Sequence, residues 1–383
     1  MSNYEAIIVG AGFAGAVMAR QMANLGKKVL VVEKRAQIGG NMYECYDKND
    51  IRVHLYGPHI FHTNDEGVYE FLKQYSEFYP YEHKVIGKID GQLVPIPFNY
   101  KSLEMLFSET ESSIIKEKLK EYFGGQAKVS ILDLISHQDE VIKNFGQYVY
   151  EKVFVNYTAK QWGIPIEQVD KSVINRVPVI LGYDDRYFGD KIQYMPKDGF
   201  TKLFENMLDH ENIEIRLNTN ILNLIEIKEH EVLFEGESYS NPLIFTGAVD
   251  ELLKYKYGKL PYRSLDLKFE QYEKELYQTN SVVNYPNEEE FTRITEFKYL
   301  TNQEDLNNTT ILKEYPLNYS GDNKEIEPYY PIINNENMEI YNKYKSEIAE
   351  YKNIYLIGRL AEYKYYNMDA VVRSALDLFE EIL

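Results

Sequence analysis

The segment Gly10-Ala11-Gly12-Phe13-Ala14-Gly15 constrains this chain most. Its glycines stand between a short apolar run, Ala6 to Val9, and a helical pattern through Val17, Met18, Met22 and Leu25. That order predicts a strand, a tight turn and a helix. Gly10 permits the turn, Gly12 lets backbone approach a pyrophosphate, and Gly15 lets the helix pack on the strand. The helix N-terminus, with Phe13 and Ala14, then faces the phosphates. A second strand, Lys28 to Val32, ends at Glu33, placed to accept hydrogen bonds from an adenosine ribose. The glycine spacing alone is weak evidence; strand, helix, second strand and terminal acid in order are far more specific.

Composition narrows the partners. A chain of 383 residues with 44% hydrophobic content buries at least one large core and divides into two or three packed subdomains. A formal charge of -18 argues against a nucleic-acid partner, which would demand a basic face. No basic leader precedes the first strand and no apolar run reaches the ~18 residues of a membrane span, so a cytoplasmic protein is expected. Cys45 is the single cysteine, which rules out an intrachain disulfide or a cysteine metal cage. Arginine is scarce, and its planar fork suits phosphate oxygens, so each arginine within a motif carries weight. The 35 tyrosines follow a general enrichment in Lys, Ile, Asn and Tyr and are mostly expected in the core.

Glu33-Lys34-Arg35 runs into Gly39-Gly40 and Asn41, which resembles the extension common in FAD-binding proteins. Leu243 to Ala248 and Ile354 to Gly358 resemble the later strands of such folds, with Arg359 where an Asp often stands. The expected fold is α/β: a Rossmann-like FAD-binding domain, with an inserted helical bundle and an antiparallel β-sheet domain. Its expected division is 1–80, 190–250 and 345–383 for the FAD domain, 100–175 for the helices, and 81–99 with 251–344 for the sheet. Short alternating runs at Ser281 to Tyr285 and Phe291 to Ile294 mark that sheet. Val371, Val372, Ala375, Leu376 and Phe379 mark a last helix.

Six segments together resemble the bacterial UDP-galactopyranose mutases: Tyr56-Gly57-Pro58-His59-Ile60-Phe61-His62, Tyr157-Thr158-Ala159-Lys160-Gln161-Trp162-Gly163, Arg176-Val177-Pro178, Phe291-Thr292-Arg293, Tyr329-Tyr330-Pro331 and Gly358-Arg359-Leu360. The resemblance implies a redox-neutral isomerisation of a UDP-sugar by FADH2, whose N5 takes sugar C1 as UDP leaves. It implies Arg176 and Arg293 on the diphosphate, and His59 and His62 at the cofactor or sugar. Tyr157, Thr158, Trp162, Tyr187, Tyr330, Tyr365 and Asn367 are its implied substrate contacts; Lys34, Gly40, Asn41, Arg359 and Met368 join the glycine turn and Glu33 on the cofactor. The family often carries an acid at the position of Asn367. NADH or NADPH as external reductant and a homodimer are further family expectations.

The chain offers no GxSxG elbow and no HExxH motif, which agrees with a protein that supplies no nucleophile. His59 and His62, with His54 upstream, could be read as metal ligands, but their Gly-Pro turn resembles the mutase segment that lies against the flavin, which implies a hydrogen-bonding role at the cofactor or sugar instead. Three other readings stay open: the same chemistry on UDP-N-acetylgalactosamine, an FAD oxidoreductase of the amine-oxidase kind, and a non-catalytic nucleotide-sugar sensor.

Overall fold

The computed structural model describes residues 3–163, 177–229, 231–304, 307–319 and 326–382. The apolar runs pair into a five-stranded parallel sheet, in the spatial order Ile213–Arg216, Val29–Val32, Ala6–Val9, Leu243–Phe245, Ile354–Leu356. Ala6–Val9 and Val29–Val32 are buried at every position, as parallel strands covered on both faces must be. Successive side chains serve opposite layers. Ile8, Val29 and Val31 meet the helices Phe13–Asn24, Phe200–Leu208 and Met368–Ile382, while Ile7, Leu30 and Val32 meet a layer containing Leu252, Tyr262, Tyr344 and Tyr363. Several tyrosines are therefore core residues. Tyr363 is 1% exposed and its hydroxyl donates to the Pro261 carbonyl at 2.7 Å, which satisfies its one polar group.

A second, seven-stranded sheet runs Tyr330–Pro331, Tyr262–Tyr272, Thr309–Tyr319, Arg293–Glu296, Val282–Asn284, Val85–Ile89, Gln92–Ile96. Its spine is the long antiparallel pair registered from Tyr262 opposite Tyr319 to Tyr272 opposite Thr309. The sheet is antiparallel except where Val282–Asn284 lies parallel to Val85–Ile89, the seam that attaches the early hairpin to the later strands.

Between these strands in sequence come helices with well-marked starts. Asn99 and Ser108 close capping boxes on Tyr100–Leu106 and Glu109–Phe123, and Asp139 accepts from Val141 and Ile142 to cap Glu140–Val149. Their apolar sides share a core around Phe98, Leu119, Ile142 and Phe145. A π-helical turn, Tyr150–Val155, then runs straight into the helix Asn156–Trp162. Among the described residues no helix is long and apolar enough to cross a membrane.

Candidate functional site

The glycine turn lies at the carboxyl end of the central parallel strand. Gly10 has φ +95°, and a Cβ there would sit 2.2 Å from Thr246 Oγ1, on the next strand. A Cβ on Gly15 would sit 1.9 Å from the Gly10 carbonyl, so Gly15 serves packing of helix on strand and is not among the residues lining the cavity. No side chain caps the helix Phe13–Asn24, so the first-turn N–H groups are left for an anion. Around the turn opens a cavity lined by Gly10, Gly12, Phe13, Ala14, Glu33, Lys34, Gly40 and Asn41, and also by His59, Arg359, Asn367 and Met368. A cleft with an uncapped helix start and the carboxylate of Glu33 in its wall suits a dinucleotide, and the residues present fit one.

Glu33 is 5% exposed, and its carboxylate already accepts from the Ala11 and Arg35 amides, both at 2.9 Å. It thus fastens the turn and the second strand together, with lone pairs left over for a hydroxyl. Lys34 pairs with Glu327 at 3.1 Å. Asn41 Oδ1 accepts from Arg35, whose guanidinium also pairs with Glu327 and lies 4.1 Å over the Tyr56 ring. Arg359 donates to the Tyr329 and Tyr366 carbonyls and sits over the stacked rings of Tyr330 and Tyr365. His59 Nδ1 donates to the Gly57 carbonyl at 2.8 Å, which leaves Nε2 as an acceptor. Burial, with nearby His54 and Arg359, lowers its pKa to about 3, so His59 is a neutral imidazole. His54 Nδ1 accepts the His59 amide, and its Nε2 lies 3.0 Å from Glu44. These contacts give each ring a local structural partner.

A second cavity, about 350 Å³, adjoins the first, and Asn367 lines both. Around it stand His62, Tyr157, Thr158, Tyr187, Arg293, Tyr330 and Tyr365, contributed by the short strand Phe61–Thr63, the helix after the π turn, the seven-stranded sheet, the loop at Tyr187 and the C-terminal segment. Arg293 Nε contacts Glu314 Oε1 at 2.5 Å; Glu314 is 1% exposed, and its charge holds the Arg293 pKa up despite desolvation. Burial raises the phenol pKa values of Tyr157 and Tyr330, opposed by Arg293, so both are neutral donors. Trp162 ends the helix Asn156–Trp162, but its side chain lies outside the described structure, and Arg176 lies outside the described residues.

Sequence reasoning missed Arg263. It is 4% exposed, lines the same cavity, and donates to the Gln161 carbonyl at 3.0 Å, to the Lys160 carbonyl and to Asn318. No carboxylate among the described residues pairs with it, and desolvation lowers its pKa. The scarcity of arginine was the one signal that could have marked it. The helix end that covers it does so through Gly163, where a Cβ would fall 2.6 Å from Arg263 Nη1. A larger groove, about 1040 Å³, lies beyond Leu222 and Glu251. Its lysines and glutamates are surface groups such as the Lys256–Glu347 pair, so size does not make it the reactive site.

Residues 152–365 match a family profile described as UDP-galactopyranose mutase, and residues 8–75 match an NAD(P)-binding Rossmann-like domain. The chain is 37% identical over its whole length to a probable UDP-galactopyranose mutase of Klebsiella pneumoniae, covering 96% of that protein. It is also 37% identical to a dTDP-fucopyranose mutase of Escherichia coli, over 97% of each chain. A crystal structure of reduced UDP-galactopyranose mutase superposes with a TM-score of 0.73 at 16% identity, covering 99% of this chain and 95% of that one, a likeness of fold.

Proposed function

The chain belongs to the UDP-galactopyranose mutase family and is an isomerase with a flavin cofactor, and on that premise we propose that it interconverts UDP-galactopyranose and UDP-galactofuranose using FAD in its reduced form. The observation that carries this reading is the junction at Asn367 of a dinucleotide cleft with a cavity walled by Arg293 and Arg263. When bound, the reduced flavin supplies the electron-rich N5 that takes the anomeric carbon, so no net oxidant is consumed.

The protein's own part is to hold charge and exclude water. The diphosphate gains negative charge as its bond to C1 breaks, and a guanidinium already fixed by Glu314 stabilises it most at that moment. Arg293 is that group in this proposal, with Arg176 as its partner. Tyr330 and Tyr365 donate phenolic hydrogen bonds without adding charge, and Arg359 braces their stacked rings from the cofactor side. His59 accepts a hydrogen bond at the cofactor, and Tyr157, Thr158, Tyr187 and Trp162 enclose the nucleotide. NADH or NADPH as reductant, a homodimer, a cytoplasmic location and the three-part division of the chain belong to the same proposal.

Anaerobic incubation of the reduced protein with UDP-galactofuranose tests the reading. UDP-galactopyranose should accumulate without consumption of reductant; no conversion would refute it. A second reading is favoured by the equally similar dTDP-fucopyranose mutase and by the uncharged Asn367 at the junction: the same reaction on a dTDP-linked 6-deoxyhexose. A higher kcat/KM for dTDP-fucofuranose in the same assay would select it.

A further inference from the structure

His62 lines the substrate cavity. Three residues earlier His59 lines the cofactor cleft, and one residue later Thr63 Oγ1 donates to Asp369 at 2.9 Å, two residues beyond the junction at Asn367. The ring is held on two sides. Its Nδ1 lies 2.8 Å from Asp190 Oδ2, and its face stacks on Phe188 with centroids 3.6 Å apart. Asp190 is itself held, since Asn64 Nδ2 donates to its other oxygen at 2.6 Å. A carboxylate accepts only, so the proton of a neutral His62 sits on Nδ1. Nε2 has no hydrogen-bond partner among the described residues and is not among the buried atoms, which leaves it open to the cavity.

From this geometry we propose that His62 is the base that takes the proton of a sugar hydroxyl during ring closure, and that Asp190 is the residue that positions it. The inference rests on the sugar-isomerase reading. As the hydroxyl oxygen bonds to the anomeric carbon, its proton passes to the Nε2 lone pair, and the electron pair displaced from that carbon returns to the group holding it. The imidazolium then faces the Asp190 carboxylate. Ring opening runs the same transfer backwards, with Nε2 returning the proton as the carbon–oxygen bond breaks, so nothing is oxidised or reduced. Other groups around His62 are His83, behind Phe188 with centroids 5.7 Å apart, Tyr187, and Arg293 on the same cavity. Of these only Arg293 is a cation, since His83 is a neutral ring, and Asp190 is the carboxylate that faces His62 directly.

The experiment compares kcat and its pH profile in wild type, Asp190→Asn, His62→Asn and the double variant, with flavin absorbance confirming the bound cofactor. General-base catalysis contributes about 100-fold or more, so Asp190→Asn should lower kcat by about 100-fold with KM nearly unchanged. Its acid limb should move to lower pH, because the imidazolium has lost its carboxylate. In the His62→Asn background the limb should vanish and Asp190→Asn should cost nothing further. Equal losses in both backgrounds, with the limb unmoved, would overturn the inference by making Asp190 merely a loop anchor. If Asp190→Asn cannot hold flavin, His62→Asn decides alone, and an acid limb kept there overturns the proposal. Wild type is the reference for the reading beneath: no wild-type turnover removes both, while normal turnover with an indifferent Asp190 removes only the pair.

Discussion

Two arginines line one cavity and differ in what balances them. Arg293 is bonded to a buried carboxylate, whereas among the described residues Arg263 is bonded only to neutral oxygens, although it is the more buried of the two. Burying a cation without a counter-charge is costly unless an anion completes the site, and a nucleotide diphosphate is such an anion. Arg263→Met should therefore leave the melting temperature unchanged or raise it, while weakening UDP binding by about 100-fold, as loss of a charge-assisted contact does. Titration calorimetry and thermal melts read the two effects separately, and a lowered melting temperature with unchanged UDP affinity would make Arg263 structural. Arg293→Ala should behave oppositely, because it strands Glu314 and costs about 3–5 kcal/mol of stability besides turnover. The contrast also marks the reach of sequence reading. Arg293 was visible because it ends Phe291-Thr292-Arg293, whereas Arg263 derives its meaning from carbonyls about a hundred residues earlier in the chain, at Lys160 and Gln161.

At the level of elements, the helix Asn156–Trp162 is where chain geometry and site chemistry meet. Its C-terminal residue Gly163 has φ +65°, and the space a side chain would need is taken by the Arg263 guanidinium. Gly163→Ala carries about 1–2 kcal/mol of left-handed backbone cost. It must also displace the arginine, so kcat/KM should fall by more than ten-fold while most of the fold persists. If chemical denaturation shows the strain but kcat/KM stays within two-fold of wild type, the helix end does not set the position of Arg263. The same glycine was readable only as part of a motif, since its cause is a contact with a distant strand. The strand-turn-helix at Gly10 to Gly15 was legible in full because every contact that enforces it is local or belongs to the next parallel strand. The parallel seam of Val282–Asn284 with Val85–Ile89 was not, because short alternating runs state which residues face inward but not which strand lies alongside or in which direction.

For the whole molecule, acid stability follows from two imidazoles whose protonation the fold opposes. His59 and His83 both have pKa values lowered to about 3, by burial first and then by neighbouring positive groups. An unfolded histidine titrates near 6.5, so between these values the unfolded chain binds more protons than the folded one. Each ring therefore contributes stability that is present above pH ~6.5 and is lost as pH falls toward its folded value, with a slope approaching about 1.4 kcal/mol per pH unit. Buried Asp250 and Glu296 act in the opposite sense. Desolvation raises both, so their contribution is complete below the unfolded carboxyl pKa of about 4 and fades as pH rises through their folded values. Carboxyl and imidazole effects thus overlap on the acid side, and only removal of one imidazole separates them. His83 suits this, being 4% exposed with an Nδ1 that has no hydrogen-bond partner among the described residues. In His83→Leu, urea unfolding between pH 6 and 5 should lose stability less steeply than in wild type, by about 1 kcal/mol per pH unit, with equal m-values. Parallel pH curves for the two proteins would mean that His83 is already free to take its proton in the folded chain, and the burial that keeps a neutral ring behind Phe188 would not be what the acid response reports.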